Sequence, residues 1–428
     1  MRVRRDEWVA TGMSDGLVDE ALESHPDKPG PTGRPASCWR IATASLLAAL
    51  VVLLVACTGG VGASHGAVQV RTVPGMPRVL DPSNLYSAAA RNRFSPATIG
   101  ALPRVYVPDV GSDDVSVIDP ATLKVVGRFP VGFDPEHVVP SYDLKTLWVA
   151  NTAVQHPQDG SVTPIDPRTG TPGAPIAVHG PYNLYFTPDG STVIVVVELL
   201  QRLEFRDPHT FALQQSLPLN HCAGVNHGDF SIDGSYLILS CEFQGSLVKI
   251  DWRHRRVVRS LRLGGAAIPE DVRVSPDGKT FYVADLARGG LDLIDGDRLT
   301  VAGFIRTGTG AHGLVVSRDG TKLYVSNRGW PQLSLGPRHG KGSVSVVDFA
   351  TNRVVATWRI PGGGSPDMGN ITADGRQLWF GGRYDDVVYV FSTSTGTVHS
   401  IPVGHEPHGV CVWPQPGRYS LGHTGNMR

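Results

Sequence analysis

The sequence predicts an all-β protein, a seven-bladed β-propeller with four antiparallel strands in each blade. Asp-Gly pairs recur at 189, 233, 277, 319 and 374, so their successive spacings are 44, 44, 42 and 55 residues. Four short apolar runs fill each repeat, and the third of them ends in Asp, as in "VSVID" at 115–119. Four strands per ~45 residues, repeated seven times, are typical of a propeller. The 50 glycines and 33 prolines suit its many turns.

The first element in the chain is a leader, residues 1–57, which we interpret as a signal or anchor segment. Its apolar run at 41–56, "IATASLLAALVVLLVA", is short for a spanning helix and suits a signal peptide. The run ends in "LVAC" at 54–57, which resembles a bacterial lipobox and implies lipid attachment to Cys57 after cleavage. The long acidic stretch before the run leaves an uncleaved anchor as the alternative. Either interpretation predicts an extracytoplasmic protein held at the cell membrane.

The leader is followed by a predicted tether at 58–100, the propeller at 101–417 and a C-terminal tail at 418–428. The propeller begins at 104–108 with a run that matches the second strand of a repeat. It ends at 408–413 with a run that matches a first strand. We therefore expect these N- and C-terminal strands to pair in one composite blade, which closes the ring and removes its edges.

The repeat resembles a known family. The runs "LYVSN…VSVVD…VVATWRIPG" and "VYVPD…VSVID…VVGRFPVG" are similar to the YVTN family of β-propeller repeats, and the likeness extends over 104–413. Residues 191–207, in the third blade, depart most from the pattern. The resemblance implies the fold but no activity, because such propellers serve as binding proteins, enzyme domains and surface repeats.

One face of the ring is the predicted binding face. In an antiparallel blade, the entrance to strand one and the loop between strands two and three lie at the same end; we call this end the mouth face. Two such loops are enlarged, at 152–161 and 328–343. Insertions that cluster on one face of a repeat fold indicate binding there.

Polar residues occupy two consecutive positions at the entrance to strand one in most repeats, where they should line the central channel. The candidates are Glu136, His137, Asn226, His227, Glu270, Asp271, His312, Asp367 and His408. Their imidazoles and carboxylates could hold a divalent or copper-type metal, or orient a polar ligand. Alternatively, the histidines belong to the repeat itself, with each imidazole bonded to the backbone of a neighbouring blade. The pattern assigns no catalytic residue.

The strand positions of the propeller cysteines and the expected compartment predict which of them form a disulfide. Cys222 precedes strand one of its blade and Cys241 ends strand two, so both lie at the mouth face and a disulfide between them is expected. Free thiols are one alternative. A soft-metal site with His221 and His227 is the other, although it matches no standard zinc spacing. Cys411 alternates with valines and should be core.

The function that these observations favour is recognition. The zero net charge argues against nucleic acid as a partner. We expect a membrane-anchored monomer that binds a small ligand or an envelope protein at the mouth face. The alternative is a metal-dependent or redox enzyme, or a lactonase- or lyase-like enzyme, in which carboxylates act as bases and histidines as ligands or acids.

Overall fold

Seven antiparallel sheets surround a central channel in the computed structural model, which describes residues 69–334 and 336–428. The predicted all-β fold of seven four-stranded blades is confirmed; in blade two the fourth strand is split into two short pieces. The leader, with its apolar run and Cys57, lies outside the described residues. Within the described part of the chain, no helix has the length and apolarity needed to cross a membrane.

The strands of the first four blades follow one another along the chain. They are β1 (Arg104–Asp109), β2 (Asp114–Asp119), β3 (Lys124–Pro130), β4 (Pro135–Pro140), β5 (Leu147–Asn151), β6 (Ser161–Asp166), β7 (Thr171–Pro172), β8 (Ile176–Ala177), β9 (Asn183–Phe186), β10 (Val193–Val197), β11 (Arg202–Arg206), β12 (Leu213–Pro218), β13 (Val225–Phe230), β14 (Leu237–Cys241), β15 (Ser246–Asp251) and β16 (Arg256–Arg262).

The remaining three blades repeat the order, and one strand follows the last of them. These strands are β17 (Pro269–Val274), β18 (Thr280–Asp285), β19 (Gly290–Asp295), β20 (Thr300–Arg306), β21 (Ala311–Val316), β22 (Lys322–Asn327), β23 (Ser343–Asp348), β24 (Arg353–Arg359), β25 (Pro366–Ile371), β26 (Gln377–Gly382), β27 (Val387–Ser392), β28 (Val398–Pro402) and β29 (Cys411–Trp413). Short 3-10 helices span Ser87–Ala89, Pro96–Thr98, Val110–Ser112, Pro157–Asp159 and Glu242–Gln244.

The Asp-Gly pairs form the turns between strands one and two of blades three to seven. In blade five, Ser275 Oγ donates to Asp277 Oδ1 at 2.6 Å, and Gly278 has φ +74°. A positive φ costs glycine little, so Asp-Gly is suited to the tight turn. These turns define the face opposite the mouth, which we call the hairpin face.

The last strand, β29, pairs antiparallel with β1, and Arg104 lies opposite Trp413. It is shorter than the expected 408–413. The reason is a change of partner at Gly409: His408 N still donates to Pro108 O on β1 at 3.1 Å, but Gly409 N donates to Glu136 O at 2.9 Å in the next blade.

Residues 69–100, most of the predicted tether, lie along the hairpin face. Val73 N donates to Asp233 O at 2.9 Å, and Asn92 N donates to Ala373 O at 3.0 Å, next to the Asp-Gly turns of blades four and seven. Tyr86 is buried, and its hydroxyl donates to Val274 O at 2.7 Å. Much of this stretch is therefore attached to the propeller.

Residues 414–428, which we call the C-terminal segment, occupy the channel. His423 N donates to Leu184 O at 2.8 Å on the first strand of blade three. Arg428 Nη2 lies 2.7 Å from Asp229 Oδ1 on the first strand of blade four, and Asn370 Nδ2 on that of blade seven donates to Thr424 O. The residues expected as a tail at 418–428 thus lie inside the ring, and most of them are buried.

Candidate functional site

The structure brings the residues of the two predicted columns together at the channel axis. None of the nine candidates is more than 2% exposed. Their imidazole rings are neighbours: the ring centroids of His137 and His408 are 4.8 Å apart, and those of His312 and His408 are 6.1 Å apart. The entrance positions therefore form one buried polar cluster.

A β-bulge at the start of strand one explains why two consecutive positions contribute to this cluster. Successive side chains of a regular strand point to opposite faces, and a bulge breaks that alternation. The pairing register shifts between Pro135 and His137, Val225 and Gly228, Pro269 and Val272, Ala311 and Leu314, and Pro366 and Gly369. The candidates of these five strands lie within or at the edge of these shifts.

His312, Asp367 and His408 form a group that we call the outer triad. His312 Nδ1 is 2.8 Å from Asp367 Oδ1, and His408 Nε2 is 3.6 Å from Asp367 Oδ2. One ligand atom of each residue lies within 4.8 Å of the other two. Neither His312 Nδ1 nor Asp367 Oδ2 has a hydrogen bond of good geometry to the described residues.

Neighbouring groups orient both imidazoles of the outer triad. His408 Nδ1 is 3.1 Å from the carbonyl oxygen of Glu136, which can only accept, so Nδ1 carries the proton and Nε2 presents its lone pair. Carboxylates flank both ring nitrogens of His312: Asp367 Oδ1 lies 2.8 Å from Nδ1, and Glu270 Oε2 lies 3.4 Å from Nε2. A carboxylate or carbonyl behind the imidazole is the arrangement found behind metal-binding histidines.

The charge states also suit metal binding. Burial lowers the pKa of His312 to about 3, so this imidazole is neutral near pH 7. Burial opposes ionisation of Asp367, but the Arg328 guanidinium, 2.8 Å from its carboxylate, and the neighbouring His312 and His408 together outweigh burial and hold the pKa of Asp367 well below its usual range. A neutral imidazole and an ionised carboxylate are the forms that bind metals.

A cavity of about 370 Å³ lies between the outer triad and the loops of the mouth face. We call it the funnel; its enclosed volume is only about 20 Å³, and the larger figure includes space open to solvent. Its lining residues are Tyr182, Glu242, Phe243, Glu270, His312, Arg328, Leu333, Arg383, Tyr384 and His408. The enlarged loop at 328–343 contributes Arg328 and Leu333 to the lining, whereas the loop at 152–161 contributes none of these residues.

Arg328 and Arg383 were not among the sequence candidates. Each follows the last residue of strand two in its blade, after Asn327 and Gly382, at the start of a mouth-face loop. Both are only 5% exposed, and Arg383 Nη1 lies 3.6 Å from Glu136 Oε2. A third column, aligned on the end of strand two, would have found them.

A second group lies deeper in the channel, and we call it the inner set: His137, His227 and His423. One ring nitrogen of each lies within 4.8 Å of the other two. Ring centroids are 5.3 Å apart for His137 and His227, and 4.8 Å apart for His227 and His423, whose rings stack. Burial and then the neighbouring imidazoles lower the pKa of His137 and His227 well below the usual range. Sequence reasoning missed His423, because it follows the last repeat.

Cys222 and Cys241 form a disulfide, with Cα atoms 4.8 Å apart. The bond joins the segment before β13 to the end of β14. It leaves neither thiolate for a soft-metal site with His221 and His227. Cys411 is a buried free cysteine in β29.

A family model described as a YncE-like beta-propeller matches residues 61–416. No curated protein matches the chain. Among solved structures, hydrazine synthase of Kuenenia stuttgartiensis is 22% identical with a TM-score of 0.51, covering 62% of this chain and 79% of that one. A putative 6-phosphogluconolactonase from Bacteroides uniformis is 16% identical with a TM-score of 0.57, covering 72% and 98%. A functionally unknown protein from Desulfotomaculum acetoxidans is 15% identical with a TM-score of 0.58, covering 73% and 99%. At these identities the likeness shows the fold alone.

Proposed function

We propose the function of this chain, which belongs to the YncE-like β-propeller family, from its channel, because the family establishes the fold but no activity. The protein binds a divalent transition metal at the outer triad. It uses that ion to hold a small ligand in the funnel. The observation that carries this proposal is the convergence of ligand atoms of His312, Asp367 and His408, within 4.8 Å of one another, beneath a cavity.

The first support is polar satisfaction. Leaving a buried acceptor without a partner costs about 1–3 kcal/mol. Asp367 Oδ2 is a buried acceptor, and neither it nor the buried His312 Nδ1 has a hydrogen bond of good geometry to the described residues. An ion between them would supply the missing partner to both atoms at once.

The second support is charge. Around the funnel lie four carboxyl groups, those of Glu136, Glu242, Glu270 and Asp367, and two guanidinium groups, those of Arg328 and Arg383. Surroundings rich in carboxyl groups favour a cation at the outer triad. Buried charges persist when they are paired or coordinate a metal.

The third support is the open side. Two imidazoles and one carboxylate leave coordination positions unfilled, as in metal sites that bind a substrate or ligand. Those positions face the funnel, where Phe243 and Tyr384 supply apolar walls and the two guanidiniums supply donors. The enclosed volume of about 20 Å³ has room for a ligand of about the size of a water molecule, with an oxygen or nitrogen donor atom.

A metal-dependent enzyme is the second candidate function. It is favoured by Glu270, whose carboxylate lies 3.4 Å from His312 Nε2 and also lines the funnel. A carboxylate beside a metal-bound ligand can act as a general base. The likeness to a putative lactonase concerns the fold and adds nothing to this candidate.

We also propose that the protein works outside the cytoplasm, anchored through a lipid on Cys57. The apolar run and the lipobox-like "LVAC" support this location. The Cys222–Cys241 disulfide is a further support, since disulfides persist mainly in oxidising compartments.

The test is the metal content of the full-length chain, purified in detergent without chelator and measured by elemental mass spectrometry before and after loading with Zn²⁺. We expect bound metal in the wild type and one equivalent less in a His312→Ala/His408→Ala variant. The matched control is His399→Ala, which removes an exposed histidine on β28. A wild-type protein that neither contains metal nor takes up Zn²⁺ would rule the proposal out.

A further inference from the structure

The C-terminal segment brings a histidine into the deepest part of the channel. His423 is 1% exposed, and its ring stacks on that of His227. We propose that the inner set of His137, His227 and His423 binds a second metal ion, and that this ion fastens the C-terminal segment inside the ring. This site goes beyond the proposed function and does not depend on the outer triad.

His137 is the best-prepared ligand of the inner set. Its Nδ1 lies 3.0 Å from the carbonyl oxygen of Tyr182, so Nδ1 carries the proton and donates it. Its Nε2 therefore presents a lone pair, yet that atom is buried and has no hydrogen-bond partner among the described residues. An imidazole fixed from behind by a carbonyl, with its other nitrogen unpartnered, has the orientation of a metal ligand.

His423 is the second ligand of the inner set. Its Nε2 lies 3.2 Å from Asp271 Oδ1 without a hydrogen bond of good geometry. Without metal, the Thr424 N–H donates to His423 Nδ1. When Nε2 binds a metal, the ring proton lies on Nδ1, which then donates to Thr424 Oγ1, 3.0 Å away. Asp271 then supplies a negative charge beside the ion.

His227 is the ligand that must exchange partners. Its Nε2 lies 3.1 Å from the Tyr182 hydroxyl, and its Nδ1 lies 3.2 Å from the Asn183 side-chain amide. Metal binding replaces the first contact and disturbs the second. We therefore expect His227 to contribute less to affinity than His137 or His423.

The class of metal follows from the ligands. Three imidazoles suit zinc or copper better than calcium or magnesium, which prefer oxygen. The set is fully buried and closed by the outer triad on one side and by the C-terminal segment on the other, which is the character of a structural site. A structural ion contributes its binding free energy to the folded arrangement that forms the site.

The first experiment counts metal in the full-length chain after loading with Zn²⁺ and removal of excess ion. We expect two equivalents in the wild type, one in His423→Ala, one in His312→Ala/His408→Ala and none in the triple variant. His399→Ala should keep two. If His423→Ala keeps as much metal as the wild type, the inner site is wrong. If only the outer-triad variant keeps the wild-type amount, the proposed function fails and the inner site stands.

The second experiment measures amide hydrogen exchange of residues 418–428 with and without Zn²⁺. Zinc should slow the exchange at least tenfold in the wild type and in the outer-triad variant, and should change nothing in His423→Ala.

A third variant separates ligation from packing. Tyr182→Phe removes the hydroxyl that holds His227 Nε2, so it should keep or tighten zinc binding at the inner set. Weaker binding in Tyr182→Phe, or exchange that zinc never slows, would overturn the proposal.

Discussion

At the scale of single residues, burial changes the chemistry of a carboxyl group in the first blade. Asp109, at the end of β1, is fully buried and accepts a hydrogen bond from Ser116 Oγ at 2.6 Å. Burial, with Asp114 beside it, raises the pKa of Asp109 from 3.8 to about 7. The folded protein therefore retains a proton that the unfolded chain releases. The stability that this proton gives is complete below pH 3.8 and is lost as the pH rises towards 7.

Asp109→Asn tests this linkage, because asparagine keeps an oxygen for Ser116 and cannot ionise. We expect the variant to match the wild type near pH 4, to gain stability relative to it as the pH rises, and to level off above pH 7. The gain should be at most about 4 kcal/mol. Denaturant unfolding at several pH values between 4 and 8 measures it. The exposed Asp159→Asn is the control. If the difference in the free energy of unfolding between the variant and the wild type stays constant with pH, the pKa of Asp109 does not change on unfolding.

The residues of the channel show what a repeat can and cannot predict. Alignment of the repeats placed His137, His312 and His408 at one hub, because equivalent positions of a propeller converge on its axis. It did not show that bulges turn two consecutive positions inward, since a bulge depends on pairing with the next strand. His423 was beyond this reasoning, because no repeat extends that far and nothing periodic fixes its place.

At the scale of elements, a strand of only three residues, β29, holds the innermost place in the first sheet. It lies beside β1, and its Trp413 is 1% exposed. Deleting 408–428 removes this strand together with the C-terminal segment, whereas deleting 414–428 removes the segment alone. We expect both deletions to lower the unfolding temperature. The longer one should cost at least about 3 kcal/mol more, since loss of a buried tryptophan alone costs that much.

Thermal unfolding of the intact chain and both deletions makes this comparison. A 408–428 deletion that melts like the intact chain would mean that the ring does not need β29. Equal losses in the two deletions would instead assign the stabilisation to the C-terminal segment.

The N-terminal element shows another limit of sequence reasoning. Residues 69–100 lack periodicity and were predicted as a tether. They bind the hairpin face mainly through backbone groups, as where Leu85 N donates to Pro276 O at 2.8 Å. Backbone hydrogen bonds to irregular turns leave no residue pattern, so the sequence could not indicate this attachment.

At the scale of the whole molecule, the two ends of the channel differ. Residues 69–100 lie along the hairpin face, and the C-terminal segment fills the channel from that side. The funnel lies at the mouth face, beneath Phe243, Leu333 and Tyr384. A ligand would therefore reach the outer triad from the mouth face. If an anchor precedes residue 69, we expect the mouth face to be turned away from the membrane.

The anchor itself gives the last prediction. If Cys57 carries the lipid, Cys57→Ser should move the protein from the membrane fraction to the soluble extracytoplasmic fraction, because the cleavage and lipidation that depend on this sulfur no longer occur or no longer retain it. Fractionation followed by immunoblotting measures the change, and Cys38→Ser, also in the leader, is the matched control. A wild-type chain at the membrane whose mass includes residues 1–57, together with retention of Cys57→Ser, would instead establish an uncleaved anchor. If the mouth face is turned away from the membrane in both cases, a protease added from outside should cut the 328–343 loop equally well in anchored and released protein.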